Sequence, residues 1–138
     1  MEAATILVVD DHPTNLALMT HLLALHGHCV LTAADAEECF ACLARQRPQL
    51  ILMDLQLPGI DGFELTRRIR AEAATADIPI IAVTSFAMSA DRSRALAAGC
   101  DDHVAKPIDT RALPSLVAAH LARGRQAAGP ISGSPAAP

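Results

Sequence analysis

At 138 residues, 51% hydrophobic and 19% charged, the chain is long enough for one domain with a sizeable core and too apolar to be disordered over most of its length. A net charge of −4 and only three aromatic residues, all Phe, exclude a sequence-independent nucleic-acid binder, which needs cations for phosphates and rings for stacking. No apolar run approaches the ~20 residues of a membrane span, and Thr5 to Val9 is too short, with no basic residue before it, for a secretion signal, so a cytosolic chain is expected.

Taken in order, Ile6-Leu7-Val8-Val9 is an all-apolar run ended by Asp10-Asp11. Such a run reads as a strand buried on both faces. Pro13 suits the first turn of a helix, where its missing N–H has no partner to lose. That helix is expected from about Thr14 to His26, stopping at Gly27. Cys29 to Thr32 is a short second strand. Asp35 caps a helix to about Gln46, which Pro48 prevents from continuing.

Leu50-Ile51-Leu52-Met53 is the second all-apolar run, and it leads directly into Asp54. Pro58-Gly59 and Asp61-Gly62 mark the turn that follows, with Asp61 read as a turn residue. A helix is expected from Gly62 to about Ala73, then a strand over Pro79 to Thr84 that is apolar until the Thr84 hydroxyl. A helix from Ala90 to Ala98 ends at Gly99. Asp102 to Ala105 is a fifth strand, closed by Lys106-Pro107. Asp109 or Thr110 caps a last helix to about Arg123. Residues 124–138, rich in Gly, Ala, Ser and Pro, are expected to form a flexible tail beyond a domain of residues 1–123.

Strands buried on both faces and alternating with helices mean a parallel sheet covered on two sides. The four cysteines, Cys29, Cys39, Cys42 and Cys100, include one C-x-x-C pair near His26 and His28. That pair lies in a helical pattern and no second pair follows. Small buried residues in a reducing compartment are therefore expected, rather than a zinc or redox site.

What matters for function is the set of residues at the strands' carboxyl ends, the edge where open α/β sheets bind ligands. These are Asp10 and Asp11, Asp54, Thr84 and Lys106. Three carboxylates repel one another unless a cation joins them, and an all-oxygen cluster that keeps some waters suits Mg²⁺. An ammonium and a hydroxyl beside it supply donors for a phosphoryl oxygen. A carboxylate nucleophile with these partners points to phosphoryl transfer.

The motifs Val8-Val9-Asp10-Asp11, Met53-Asp54 with Leu57-Pro58-Gly59 and Asp61-Gly62, Val83-Thr84, and Lys106-Pro107 resemble the receiver domain of two-component response regulators. The resemblance covers about Ala4 to Arg123. With Ser85-Phe86-Ala87-Met88 and Ile108 it is most similar to single-domain receivers of the DivK type and to receivers of hybrid kinases. It implies a flavodoxin-like (βα)5 fold with strand order 2-1-3-4-5. It also implies that Asp54 accepts a phosphoryl group from a histidine. Asp10 or Asp11, chiefly Asp11, would bind Mg²⁺ with Asp54 and the Gln56 backbone carbonyl. Lys106 would contact the phosphoryl group, Thr84 would report it, and Pro107 would follow a cis peptide bond.

The implied partners are a histidine kinase or histidine phosphotransfer protein and a downstream protein, with the chain a monomer or weak dimer and nucleic acid not contacted directly. The chain would be a signalling module that acts on its own phosphorylation, not an enzyme with a diffusible substrate. Aspartyl phosphohydrolases usually carry a second Asp two residues after the nucleophile, and here that residue is Gln56. His103 departs from the family, which commonly has Tyr or Phe there. It reads either as a tolerated substitution or as a switch residue that can carry charge. Leu18 and Met19, in a leucine-rich first helix, read as either packing or a docking ridge for a partner's helices.

Overall fold

The structure, a computed structural model, describes residues 4–57, 59–85 and 89–123, excepting the side chains of 89–91. Pro58, Phe86-Ala87-Met88 and the tail of residues 124–138 lie outside the described residues. Five strands, β1 (Thr5–Val9), β2 (Cys29–Ala33), β3 (Leu50–Asp54), β4 (Ile80–Thr84) and β5 (Asp102–Ala105), form one parallel sheet. Their order is β2-β1-β3-β4-β5, the doubly wound flavodoxin-like arrangement. Helices α1 (Pro13–Leu25), α2 (Ala36–Arg45), α3 (Gly62–Ala71), α4 (Ser89–Ala98) and α5 (Ala112–Arg123) alternate with them.

The all-apolar runs are explained by strand alternation. Ile6, Val8, Leu50, Leu52, Ile81 and Val83 pack with Met19 and Leu23 of α1 and with Leu113 and Val117 of α5. Their neighbours Leu7, Val9, Ile51, Met53, Ile80 and Ala82 pack on the other face with α2, α3 and α4. Every residue of β3 and β4 is buried, so neither strand has a polar side to spare. Full burial of one such side chain contributes about 1.5–3 kcal/mol. The central strands are therefore a rigid platform for whatever stands at their ends.

Local signals set the helix ends. Asp35 accepts a bond from the Glu38 N–H at 2.8 Å, and Asp61 one from the Glu64 N–H at 2.9 Å. Asp61 is thus a helix cap more than a turn residue. Asp109, not Thr110, caps α5, taking the Arg111 and Ala112 N–H groups at 2.9 and 3.1 Å. Gly27 and Gly99, at φ +86° and +115°, end α1 and α4 in a conformation that disfavours a Cβ. Helix α3 stops at Ala71, short of the expected Ala73, where Glu72 turns extended and the Thr75 hydroxyl takes the Ile69 carbonyl.

Cys39, Cys42 and Cys100 are buried, whereas Cys29, at the start of β2, is exposed, against the expectation that all four are buried. Burial, with the neighbouring Cys42 adding to it, pushes the Cys39 thiol up to about 12. His28 is buried and its Nδ1 receives the Ala4 N–H at 3.2 Å. Burial, then His26, lowers its affinity for a proton. Cys39, Cys42, Cys100 and His28 tie and fill the fold, in keeping with the packing role expected of them, while Cys29 does not. Met19 is likewise core, at 1% exposure, so of the proposed docking pair only Leu18, at 38%, reaches the surface.

Two long-range tethers had no signal in the sequence. Arg70, near the end of α3, donates to the carbonyls of Gly99, Ala76 and Ile78 at 2.9, 3.0 and 2.6 Å. It also pairs with Asp101 at 2.8 Å, and the same carboxylate oxygen takes the Ile80 N–H at 2.8 Å. One guanidinium thereby joins α3, the start of β4 and the loop before β5. On the opposite face His120 of α5 meets Asp102 of β5 at 2.9 Å. Against the upward push of burial, this bond and the His103 N–H hold the Asp102 carboxyl below the ordinary aspartate range.

Arg70→Met strands three carbonyls and half of a largely buried ion pair, so it should cost about 3 kcal/mol. Arg67→Met removes only an exposed helix pair with Glu64 and should cost well under about 1 kcal/mol. Urea midpoints of the two variants check both figures.

Candidate functional site at the carboxyl edge of the sheet

Strands β1 and β3 lie side by side, with Val9 opposite Met53, so the residues that follow come out together at the sheet's carboxyl edge. Asp10 and Asp54 are both 0% exposed. Asp11, one residue on, is partly exposed. Lys106 reaches back from the end of β5 with its Nζ 3.3 Å from Asp54 Oδ2 and 3.4 Å from Asp10 Oδ2. The Lys106 N–H is fixed by the Thr84 carbonyl at 2.8 Å, joining the ends of β4 and β5. Thr84 itself is 2% exposed. The Lys106–Pro107 peptide is cis.

Asp54 is held from its other side by the Gln56 N–H, which donates to Oδ1 at 2.9 Å. Gly62 closes the floor. A Cβ there would press on the Asp54 carbonyl oxygen and come within 2.6 Å of Leu55 Cα, so only glycine lets α3 start this close to β3. Burial, with Asp10's charge adding to it, pushes the Asp54 carboxyl above the ordinary aspartate range, against the pull of Gln56 and Lys106.

Asp10, Asp11, His12 and Asp54 each place one ligand atom within 4.8 Å of all the others. Asp10 Oδ2 and Asp11 Oδ1 are buried atoms that receive no hydrogen bond among the described residues. Three carboxylates with orphaned oxygens suit a hard divalent cation, which fits the expected set of Asp10, Asp11 and Asp54. The fourth member, His12, carried no expectation from the sequence.

His103 stands elsewhere. On β5 it pairs with Ala82 of β4, and it lines an open pocket of about 250 Å³ with Arg92, Ala95, Leu96, Asp101 and Asp102. The structure thus brings Asp10, Asp11, Asp54 and Lys106 together, sets Thr84 at the adjoining strand end, and leaves His103 over a separate surface.

Residues 6–118 match the family model for the response regulator receiver domain. PilH of Pseudomonas aeruginosa is 37% identical over 119 residues, covering 86% of this chain and 98% of that protein. The polar-differentiation response regulator DivK of Brucella anthropi is 35% identical over 104 residues, 75% of this chain and 85% of that one. Among solved structures, the receiver domain of a sensor histidine kinase from Pseudomonas aeruginosa PAO1, with a magnesium ion coordinated in its active-site cleft, aligns with a TM-score of 0.80. It is 36% identical, covering 88% of this chain and 99% of that domain.

Asp54→Asn keeps the acceptor for the Gln56 N–H and removes a buried, repelled charge. Asp54 holds its proton more tightly in the fold than in the unfolded chain, where its pKa is near 3.8, so its charge weakens the fold at neutral pH and stops doing so as the pH falls through the raised value. The variant should melt several degrees above wild type at pH 7.5 and the gap should close toward about pH 4, as read by circular dichroism.

Proposed function

As the chain belongs to the response regulator receiver family, we propose that Asp54 is its phosphoacceptor and that a histidine kinase or histidine phosphotransfer protein is the donor. One observation carries this reading: a fully buried carboxylate with an ammonium 3.3 Å away, in a cluster of carboxylates. A carboxylate oxygen of Asp54 attacks phosphorus, the P–N bond to the donor histidine breaks, and its electron pair leaves on the imidazole nitrogen. Asp10, Asp11, Asp54 and the Gln56 carbonyl are the residues that would hold Mg²⁺, with Asp11 foremost. Bound there, the ion offsets the charge of the transferring phosphoryl oxygens.

The remaining steps belong to the chain. Lys106 exchanges its contacts with Asp54 and Asp10 for a phosphoryl oxygen, and Thr84 offers its hydroxyl to another. These are the differential contacts through which the phosphoryl group shifts the α4 face between two states. His103, over the pocket beside Arg92 and Leu96, is placed to sense that shift. The receiver ends at Arg123, the last residue of α5, with 124–138 as a tail. A cytosolic setting, a monomer or weak dimer, and output through a protein partner complete the reading.

A multiple-turnover phosphohydrolase is disfavoured because Gln56 stands where such an enzyme needs an acid. The chain therefore stores a phosphoryl group rather than turning over a substrate. Whether it works alone or as the receiver of a hybrid kinase, the chemistry at Asp54 is the same.

With Mg²⁺ and a small phosphodonor, the protein should gain the mass of one phosphoryl group on Asp54. Asp54→Ala should gain none, and a mark that persists in that variant overturns the reading. Lys106→Ala should slow the transfer about a hundredfold, the loss typical of one charge-stabilising donor. Leu18→Gln, at the exposed position on α1, should slow transfer from the protein donor and leave transfer from the small donor unchanged. A wild-type rate of transfer from the protein donor removes Leu18 from the docking surface.

A further inference from the structure

His12 is poorly suited to its backbone position. It is the N-cap of α1, held by Pro13 at the first helical position, by its own N–H to Asp10 Oδ1 at 2.8 Å and by its carbonyl to the Leu16 N–H at 3.0 Å. Histidine is not among the good capping residues, and its side chain makes no cap bond, whereas Asp35 and Asp61 cap their helices. A local rule broken at a functional edge points to another use for the side chain.

The ring faces the carboxylates instead of the helix. Its Nδ1 is 3.1 Å from Asp10 Oδ1, 3.2 Å from Asp11 Oδ1 and 4.0 Å from Asp54 Oδ2. The 3.1 Å contact is itself a hydrogen bond between the ring and Asp10, and a ring nitrogen that close to carboxylate oxygens can share a divalent ion with them. The imidazole nitrogen therefore lies close enough to all three carboxylates to join them, and the Gln56 carbonyl, as a further ligand of one ion. Among the described residues the buried Asp10 Oδ2 and Asp11 Oδ1 accept no hydrogen bond, and with only Lys106 Nζ at 3.4 Å and His12 Nδ1 at 3.2 Å beside them they leave room for a cation.

We infer that His12 is a ligand of the divalent ion, through Nδ1, and that it tilts the site toward first-row transition ions over Mg²⁺. Carboxylates alone favour Mg²⁺, Ca²⁺ and Mn²⁺, while an imidazole strengthens binding of Co²⁺, Ni²⁺ and Zn²⁺. The inference rests on the reading of this edge as a phosphoacceptor site. It adds that the site's metal preference is written in the residue after the acidic pair.

The test uses the full chain with Mn²⁺, Co²⁺ and Mg²⁺ as probes. Electron spin-echo spectra of the Mn²⁺ complex should show ¹⁴N modulation from a bound imidazole, and His12→Ala should abolish it. By titration calorimetry His12→Ala should lower Co²⁺ affinity about tenfold or more, since even outer-shell partners of a ligand carry that much, and should change Mg²⁺ affinity far less. His12→Asn, which also leaves an exposed polar residue at the cap, guards against a folding artefact and should behave like His12→Ala.

Wild type without ¹⁴N modulation, or modulation that survives in His12→Ala, overturns the inference. So does a rise in affinity for both ions in His12→Ala, because the imidazole then competes for the ion's place. In each of these cases Mg²⁺ still binds and the phosphoacceptor reading stands. Wild type that binds neither Mg²⁺ nor Mn²⁺ overturns both.

Discussion

Two fully buried carboxylates, Asp10 and Asp54, face one ammonium across the end of the sheet, with Lys106 Nζ 3.4 and 3.3 Å away. One positive charge against two buried negatives, with Asp11 beside them, leaves the site short of cation. Two observations express that shortage: burial pushes the Asp54 carboxyl above its ordinary range, and two buried carboxylate oxygens accept no hydrogen bond among the described residues. Such an arrangement costs stability and persists only where the rest of the fold holds it in place. A divalent cation is the natural complement of that imbalance.

The rest of the structure is organised to bear that cost. Strands β3 and β4 are buried along their whole length, so Asp54 and Thr84 stand on a platform with no solvent-facing side. Gly62 brings α3 against the Asp54 backbone, and the Gln56 N–H fixes one carboxylate oxygen. Farther out, Arg70 binds three carbonyls and Asp101, and His120 binds Asp102. These contacts hold β4 and β5 in relation to the helices on both faces. The switch proposed at Thr84 and Lys106 sits at the end of that framework, where β4 and β5 are joined by the Lys106 N–H to the Thr84 carbonyl.

How much was legible in advance follows from the range of each interaction. The strands were readable because Ile6 to Val9, Leu50 to Met53 and Ile80 to Val83 are continuous apolar runs, which a sheet covered on both faces requires. The helix ends were readable within one or two residues because Asp35, Gly27 and Gly99 act on neighbours three or four positions away. Where a local signal had two candidates, as with Asp109 and Thr110, the sequence held no tiebreaker. Arg70 looked like any basic residue in the last turn of a surface helix, because its partners lie up to 31 residues away. Met19 read as either core or docking ridge because α1 is leucine-rich around most of its circumference, and only its packing in the core separates it from Leu18.

The sequence alone determined the fold class, the five strand-end residues and the phosphoryl-transfer chemistry they suit. Each of these depends on residue type and short-range spacing at the end of a run. Only the tertiary structure decided that Lys106 meets Asp54 across 52 residues, that Gly62 must be glycine, that Arg70 ties three elements, and that the His12 ring turns toward the carboxylates. Those facts depend on which strands lie side by side and on the direction a side chain takes from a fixed backbone. Local periodicity carries neither.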